Sequence, residues 1–214
     1  MATAPVVLLT DFGWGSYVGV MKGVILSFRP EVPLIDLDHG VTPQNVREGA
    51  WLLLANYRFF PAGSVFVAVV DPGVGTARRA LAVRAGAYYF IGPDNGLLYP
   101  AVHAAGLRQL VALPVPPTAS PTFHGRDVFA PAAGRLAAGV PLDQLGPPAP
   151  EMTPLTFHLR GREGEIVTID RFGNIVTNLP PLPRRAVYHV TIRREGKVYF
   201  QAELPAFPVY AAAP

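Results

Sequence analysis

The chain contains no cysteine, which excludes disulfides, thiolate metal ligands and thiol nucleophiles together. It is also poor in charge, with Asp, Glu, Lys and Arg making up only 15% of its 214 residues. The pI near 9.4 reflects a small surplus of arginine, a net +3, rather than a basic stripe, so nucleic acid is not implied. Long apolar runs are missing too: none approaches the roughly 20 residues a bilayer span needs, and no basic segment precedes an apolar region at the N-terminus. A soluble cytoplasmic protein with neither a nucleic-acid nor a membrane partner is the expectation. What the chain does have is 50% hydrophobic residues and 24 prolines gathered in connections. That composition supports one full domain plus a smaller one.

Three apolar runs end in a carboxylate. Val6 to Thr10 meets Asp11, Leu34 to Leu37 meets Asp38, and Ser64 to Val70 meets Asp71 before a Pro-Gly turn and Arg78. The last of these, β-branched and almost wholly apolar, suits a parallel strand buried on both faces. Ligands of such sheets bind outside the strand carboxyl ends, so the three carboxylates are expected along one edge, where a site would lie.

Between these strands the spacing predicts helices over 17–28, where Val18, Met21, Ile25 and Phe28 fall on one face, and over 45–60, with Asn45 as N-cap and Glu48 closing a capping box. Residues 80–83 and 88–91 read as a hairpin ending in the turn Gly92-Pro93-Asp94-Asn95-Gly96, and helical pattern returns over 127–138. Strand-like runs follow at 165–169, 175–178, 186–192 and 197–201. The organisation expected is an α/β unit over 1–142 with a mainly parallel central sheet flanked by helices, a proline-rich connection over 143–154, and a smaller antiparallel β unit over 155–214.

Several segments carry more than fold. They are Thr10-Asp11-Phe12-Gly13, Tyr17 to Gly23, Thr42-Pro43-Gln44-Asn45-Val46, Val70 to Thr76, Gly92 to Gly96, Thr122-Phe123-His124-Gly125-Arg126-Asp127 and Asp170-Arg171-Phe172-Gly173-Asn174. In this order, over nearly the whole chain, they resemble the S-adenosylmethionine hydroxide adenosyltransferase family, whose relatives include the fluorinase and chlorinase enzymes. The resemblance implies attack of water or hydroxide on C5′ of S-adenosyl-L-methionine, giving adenosine and L-methionine, with no cofactor and no metal. By motif, Asp71, Arg78 and His124 fall on the residues associated with the nucleophile. Asp11 falls on the ribose hydroxyls, Asp170 on the methionine ammonium, and Asn174 on the adenine edge with Phe172 beside it. The resemblance also implies a homotrimer whose sites lie between subunits. Two departures stand out: the loop after Asp11 is one residue shorter, with Ser16 where an acidic residue is common among the methionine contacts, and the C-terminal unit is shortened, which would expose a strand edge.

The chemistry asks little of an acid, because a sulfonium leaves as a neutral thioether; the oxygen must instead be held in line and stripped of solvent. An arginine beside a carboxylate makes it a poorer base, so Asp71 is expected to orient water, while His124, with an ordinary imidazole pKa near 6.5, is the group suited to take the proton. Plainer roles exist for the same residues: a helix cap for Asp11, turns for Asp71 and for the Asp170–Asn174 pair, and solvated surface for Arg79 next to Arg78. His39, His103, His158 and His189 have no motif around them. Other activities are a halide-using adenosyl transferase, disfavoured because Asp71 would repel a halide and Gly125 offers no hydroxyl, a non-catalytic adenosine-binding protein, and a metal-dependent phosphohydrolase built on Asp11, Asp36 and Asp38.

Overall fold

A computed structural model describes residues 4–180 and 187–205. Strand β1 (Val6–Thr10) runs into helix α1 (Ser16–Phe28), strand β2 (Leu34–Asp38), helix α2 (Val46–Asn56) and strand β3 (Val65–Val69). A hairpin of β4 (Ala80–Ala85) and β5 (Tyr88–Pro93) follows, then α3 (Tyr99–Ala105) and β6 (Leu107–Leu113). A single wide π-turn over Gly125–Phe129 leads into α4 (Ala130–Ala137). Beyond it lie β7 (Ile166–Ile169), β8 (Ile175–Thr177), β9 (Val187–Arg194) and β10 (Lys197–Pro205).

Six strands form one sheet in the order β2-β1-β3-β5-β4-β6, with β4 antiparallel to both its neighbours and the other pairings parallel. β1 and β3 are buried along their whole length, and their residues alternate between two cores. Val6, Leu8 and Val67 face Met21 and Ile25 of α1 and Phe129 beside α4; Val7, Leu9 and Phe66 face Leu53 of α2 and Val102 of α3. Burial on both faces is why these strands read as unbroken apolar runs. The chain leaves β1 toward β2 on one side and returns to β3 on the other, so the switch in strand order lies between β1 and β3.

The expected hairpin and the first three strands are present. The helix expected over 45–60 ends at Asn56, and a 3₁₀ turn covers Tyr57–Phe59. Asn45 caps it by accepting from the Glu48 N–H, but the Glu48 carboxylate reaches the Thr42 N–H rather than closing the box on Asn45. The helix expected over 127–138 begins as the π-turn. Helix α3 and strand β6 were not anticipated: α3 has only seven residues with a proline in its first turn, and β6 is an edge strand with polar Arg108 and Gln109 in it.

The proline-rich segment runs along β6. The Ala112 N–H donates to the Pro147 carbonyl at 2.9 Å and the Ala149 N–H to the Leu110 carbonyl at 3.0 Å, an edge position at which proline's missing N–H costs nothing. Leu142 and Leu145 are buried at its start. Past it, two antiparallel pairs form, β7–β8 and β9–β10. β7 leans on α2: the Thr168 hydroxyl donates to Glu48 at 2.6 Å, and Arg47 reaches Glu165 and the Thr156 carbonyl at 3.0 Å. The strand expected to start at Ala186 begins, like the extreme C-terminal residues, outside the described residues.

Candidate active site

Two loops converge at the carboxyl ends of β1 and β3, where the strand order switches, and enclose a cavity of about 400 Å³. This is the crevice where open α/β sheets bind ligands. Asp11, Phe12, Tyr17, Asp71, Phe123 and His124 are among its lining residues. Of the three carboxylates expected on one edge, Asp11 and Asp71 meet here; Asp38 instead accepts from the Gly40 N–H at 2.7 Å and does not line the cavity.

The floor is a three-residue cluster. Arg78 grips both oxygens of Asp71, through Nε to Oδ1 at 2.9 Å and through Nη2 to Oδ2. The same Nη2 contacts Nδ1 of His124 at 2.9 Å. All three are well covered, with the Arg78 and Asp71 side chains 9% and 5% exposed and His124 5%. The guanidinium also lies 5.5 Å over the Phe129 ring, a cation–π contact. A guanidinium can only donate, so Nδ1 must be the unprotonated nitrogen and the ring proton sits on Nε2. That Nε2 has no partner among the described residues and lies at the cavity. Burial, and then the Arg78 cation, push the His124 imidazole below its ordinary value, against smaller opposing pulls from Asp71 and Asp127. His124 is therefore a neutral donor toward the cavity.

The local backbone explains why these groups meet. The turn after β3 is closed by Val74 N–H to the Asp71 carbonyl at 3.2 Å and by the Thr76 hydroxyl to the Gly73 carbonyl at 2.7 Å. Gly75, with φ +76°, lies so close to the Pro121 carbonyl that no side chain would fit, and this contact seats the loop carrying His124 against the turn carrying Asp71 and Arg78. His124 itself directly precedes the π-turn, a local widening often found at functional positions.

On the other wall, Oδ2 of Asp11 accepts from the Gln44 N–H at 2.7 Å, while Oδ1 has no partner among the described residues. Gln44 holds φ +63°, a left-handed conformation costly for a residue with a side chain. Phe12, Tyr17 and Phe123 pack edge to face, with centroids 5.2–6.2 Å apart. Such an aromatic wall suits a flat or cationic ligand.

Ser16 is exposed at the start of α1 and does not line the cavity, and the adjoining Trp14 is 97% exposed. Asp170, Phe172 and Asn174 lie together at the β7–β8 tip, away from the cavity lining. Asp170 accepts from the Phe172 N–H at 2.9 Å, from the Asn174 N–H at 2.9 Å and from the Asn174 amide at 2.7 Å, while Phe172 is 75% exposed. The Asn174 contacts come first among the causes that hold the Asp170 carboxyl below the ordinary range.

Sequence reasoning missed two neighbours of the site. Arg79 is an ion-pair partner of Asp94, through Nε at 2.8 Å, and donates to the Glu151 carbonyl at 2.9 Å; only its adjacency to Arg78 set it aside as surface. His39 is buried at 6% exposure and contacts Thr10 and Asp36. Its place directly after the acidic end of β2 was the available signal. With Asp36 taken by His39 and Lys22, and Asp38 by Gly40, no three-residue metal-holding group occurs among the described residues.

Residues 6–146 match the model of the SAM hydroxide adenosyltransferase N-terminal domain. The chain is 44% identical over 205 residues to a protein of Thermus thermophilus named (R)-S-adenosyl-L-methionine hydrolase, covering 89% of this chain and 80% of that one. A fluorinase of an Actinoplanes species is more distant, 30% identical over 92% of this chain and 79% of its own length. Among solved structures, an uncharacterized conserved protein from Thermotoga maritima superposes with a TM-score of 0.78 at 37% identity, over 82% of this chain and 71% of that one.

Proposed function

We propose, for a chain that belongs to the SAM hydroxide adenosyltransferase family, that it is an S-adenosyl-L-methionine hydrolase forming adenosine and L-methionine. The relatives' name points to the (R)-sulfonium epimer as the form to offer it. The observation that carries the reading is the Asp71–Arg78–His124 cluster at the floor of a cavity whose opposite wall is Asp11.

The residues divide the work as follows. Water's oxygen accepts from Nε2–H of His124 and one of its hydrogens points to Asp71, leaving a lone pair for C5′. As the C5′–O bond forms, the C5′–S bond breaks and its electron pair stays on sulfur, so methionine leaves as a neutral thioether. The oxygen's surplus proton passes to Asp71 or, through it, to solvent. With His124 neutral, the cluster carries no net charge, and the aromatic wall can take the cationic sulfonium without repulsion. This arrangement alters the division of labour expected from sequence: Arg78 occupies the His124 nitrogen that would have received a proton, so positioning and desolvation carry more of the rate than general-base catalysis. Asp11 offers its second oxygen to the ribose hydroxyls.

Water is favoured over halide because Asp71 can accept a hydrogen bond from the nucleophile, which water supplies and a halide cannot, and Gly125 brings no hydroxyl. A Cβ at Gly125 would press on the sulfur of Met21 at 3.0 Å and on Phe123 at 3.3 Å, so the bare floor suits a small neutral oxygen. No cofactor and no metal take part in this scheme.

The adenine and methionine contacts belong to Asp170, Asn174 and Phe172, which we place on a neighbouring copy in a homotrimer. What supports this is their position at a hairpin tip outside their own chain's cavity, flanked by exposed Ile169 and Ile175. Cytoplasmic action fits a substrate made and used there; no helix among the described residues is long and apolar enough to cross a membrane. Chromatography of protein incubated with either sulfonium epimer, with and without chloride, tests the reading. Equimolar adenosine and methionine support it, whereas a 5′-chloronucleoside or unchanged substrate contradicts it.

A further inference from the structure

Beside the cavity, a chain of polar side chains crosses from one face of the sheet edge to the loop that carries Asp11. Lys22 of α1 donates to Oδ2 of Asp36 at 2.6 Å, Oδ1 of Asp36 meets Nε2 of His39 at 3.0 Å, and Nδ1 of His39 meets the Thr10 hydroxyl at 2.8 Å. The Thr10 oxygen in turn accepts from the Phe12 N–H at 3.2 Å, and the His39 carbonyl accepts from the Gly13 N–H at 2.8 Å. Asp36, as a carboxylate, can only accept, so Nε2 of His39 carries a proton, and Nδ1 shares a hydrogen bond with the Thr10 hydroxyl. A bulge makes this path: Leu8 pairs with Asp36 and Leu9 with Asp38, leaving Leu37 as the extra residue of β2. Bulges of this kind re-aim side chains beside functional sites.

We propose that His39 is a positioning residue for Asp11: through Thr10 and its own carbonyl it fixes the backbone directly after Asp11 and so aims the free carboxylate oxygen into the cavity. This rests on the reading of Asp11 as the ribose contact. Thr10 is fully buried and His39 is nearly so, at the end of a strand whose other residues are all apolar. An apolar pair would fill that space without the desolvation of two polar groups. The relay instead delivers its hydrogen bonds to the amides of Phe12 and Gly13, the two residues directly after Asp11. Asp36 anchors the ring: burial would raise its carboxyl, but the hydrogen bonds from His39 and Lys22 outweigh that and hold it below the ordinary range, so the anchor stays ionised.

The test is a mutant cycle read in the dissociation constant of adenosine by calorimetry, on chains confirmed as folded by their melting transitions. Thr10→Val keeps the shape and removes the relay's hydroxyl; Thr10→Ser keeps the hydroxyl. Thr10→Val weakens adenosine about tenfold, the scale of one well-made hydrogen bond, and Thr10→Ser restores wild-type affinity. In an Asp11→Asn background the same Thr10→Val change costs less than about twofold, because the group being aimed is already lost. His39→Leu behaves as Thr10→Val does, and if it fails to fold the Thr10 pair decides alone. An equal loss in both backgrounds, or unchanged affinity in Thr10→Val, overturns the proposal. Adenosine binding needs no turnover, so a wild-type chain that binds adenosine yet leaves S-adenosylmethionine intact contradicts the hydrolase reading while the cycle still decides the role of His39.

Discussion

One nitrogen of Arg78 joins two catalytic candidates: its Nη2 donates to Nδ1 of His124 at 2.9 Å while also reaching Asp71. That single contact fixes the imidazole tautomer and leaves Nε2–H as the group offered to the nucleophile. An imidazole held this way loses function by gaining a proton rather than by losing one.

The pH profile follows from the direction of the His124 shift. Burial and Arg78 hold its folded value below 6.5, so kcat/KM stays level on lowering the pH through that value and falls only further into acid. A His124→Gln chain, which keeps an N–H donor but does not titrate, loses this acid limb. Stability moves in the same sense. Between the folded and unfolded values the unfolded state binds more protons, so His124's contribution is complete above about 6.5 and declines as pH falls through the window below it. Melting transitions followed from neutral into mildly acidic solution check this.

Arg78→Lys removes the planar fork that grips Asp71 on two oxygens and His124 on one. A lysine is a point charge and cannot reproduce that geometry. The expected result is a loss in kcat on the order of 10²-fold, the lower end of what a well-placed proton-handling group supplies, with a smaller change in KM. Steady-state kinetics separate the two.

Gly75→Ala is predicted to act at a distance of two loops. A methyl at φ +76° falls on the Pro121 carbonyl, which parts the Asp71 turn from the His124 loop. The cost is about 1–3 kcal/mol in stability, the scale of a strained backbone position, and kcat falls more than KM rises because Asp71 and His124 lose their common grip on Arg78. Thermal melts and kinetics on the same preparation measure both effects.

If sites form between copies, two dead variants rescue each other. Asp71→Asn and Asp170→Asn chains, each inactive alone, regain activity after mixed refolding, since roughly a quarter of randomly assorted interfaces pair two intact halves. A site built within one chain shows no recovery.

Much of the fold was legible because its central strands are buried on both faces and its first two helices keep strict apolar spacing, as in Val18, Met21 and Ile25 against Val6 and Leu8. Segments stabilised by tertiary contact were not. Helix α3 is too short to show a period, β6 is an edge strand with mixed residues, and the prolines of 141–154 look like a free connection until Pro147 is seen accepting from Ala112. At the site, ordered motifs singled out Asp11, Asp71 and His124, which the fold brings to one cavity, and Arg78, which holds the last two together. The proton's place on His124 was not legible, because it depends on where Arg78 puts one nitrogen. Nor was the relay through His39, which needs the bulge at Leu37, a feature of register that no local pattern announces.

The most direct measurement is mass spectrometry of the adenosine released from S-adenosyl-L-methionine in ¹⁸O-water. Attack of water on C5′ predicts one labelled oxygen in adenosine, at the 5′ position, with unlabelled methionine, and loss of that product in Asp71→Asn. Unlabelled adenosine, or label in methionine, contradicts the account.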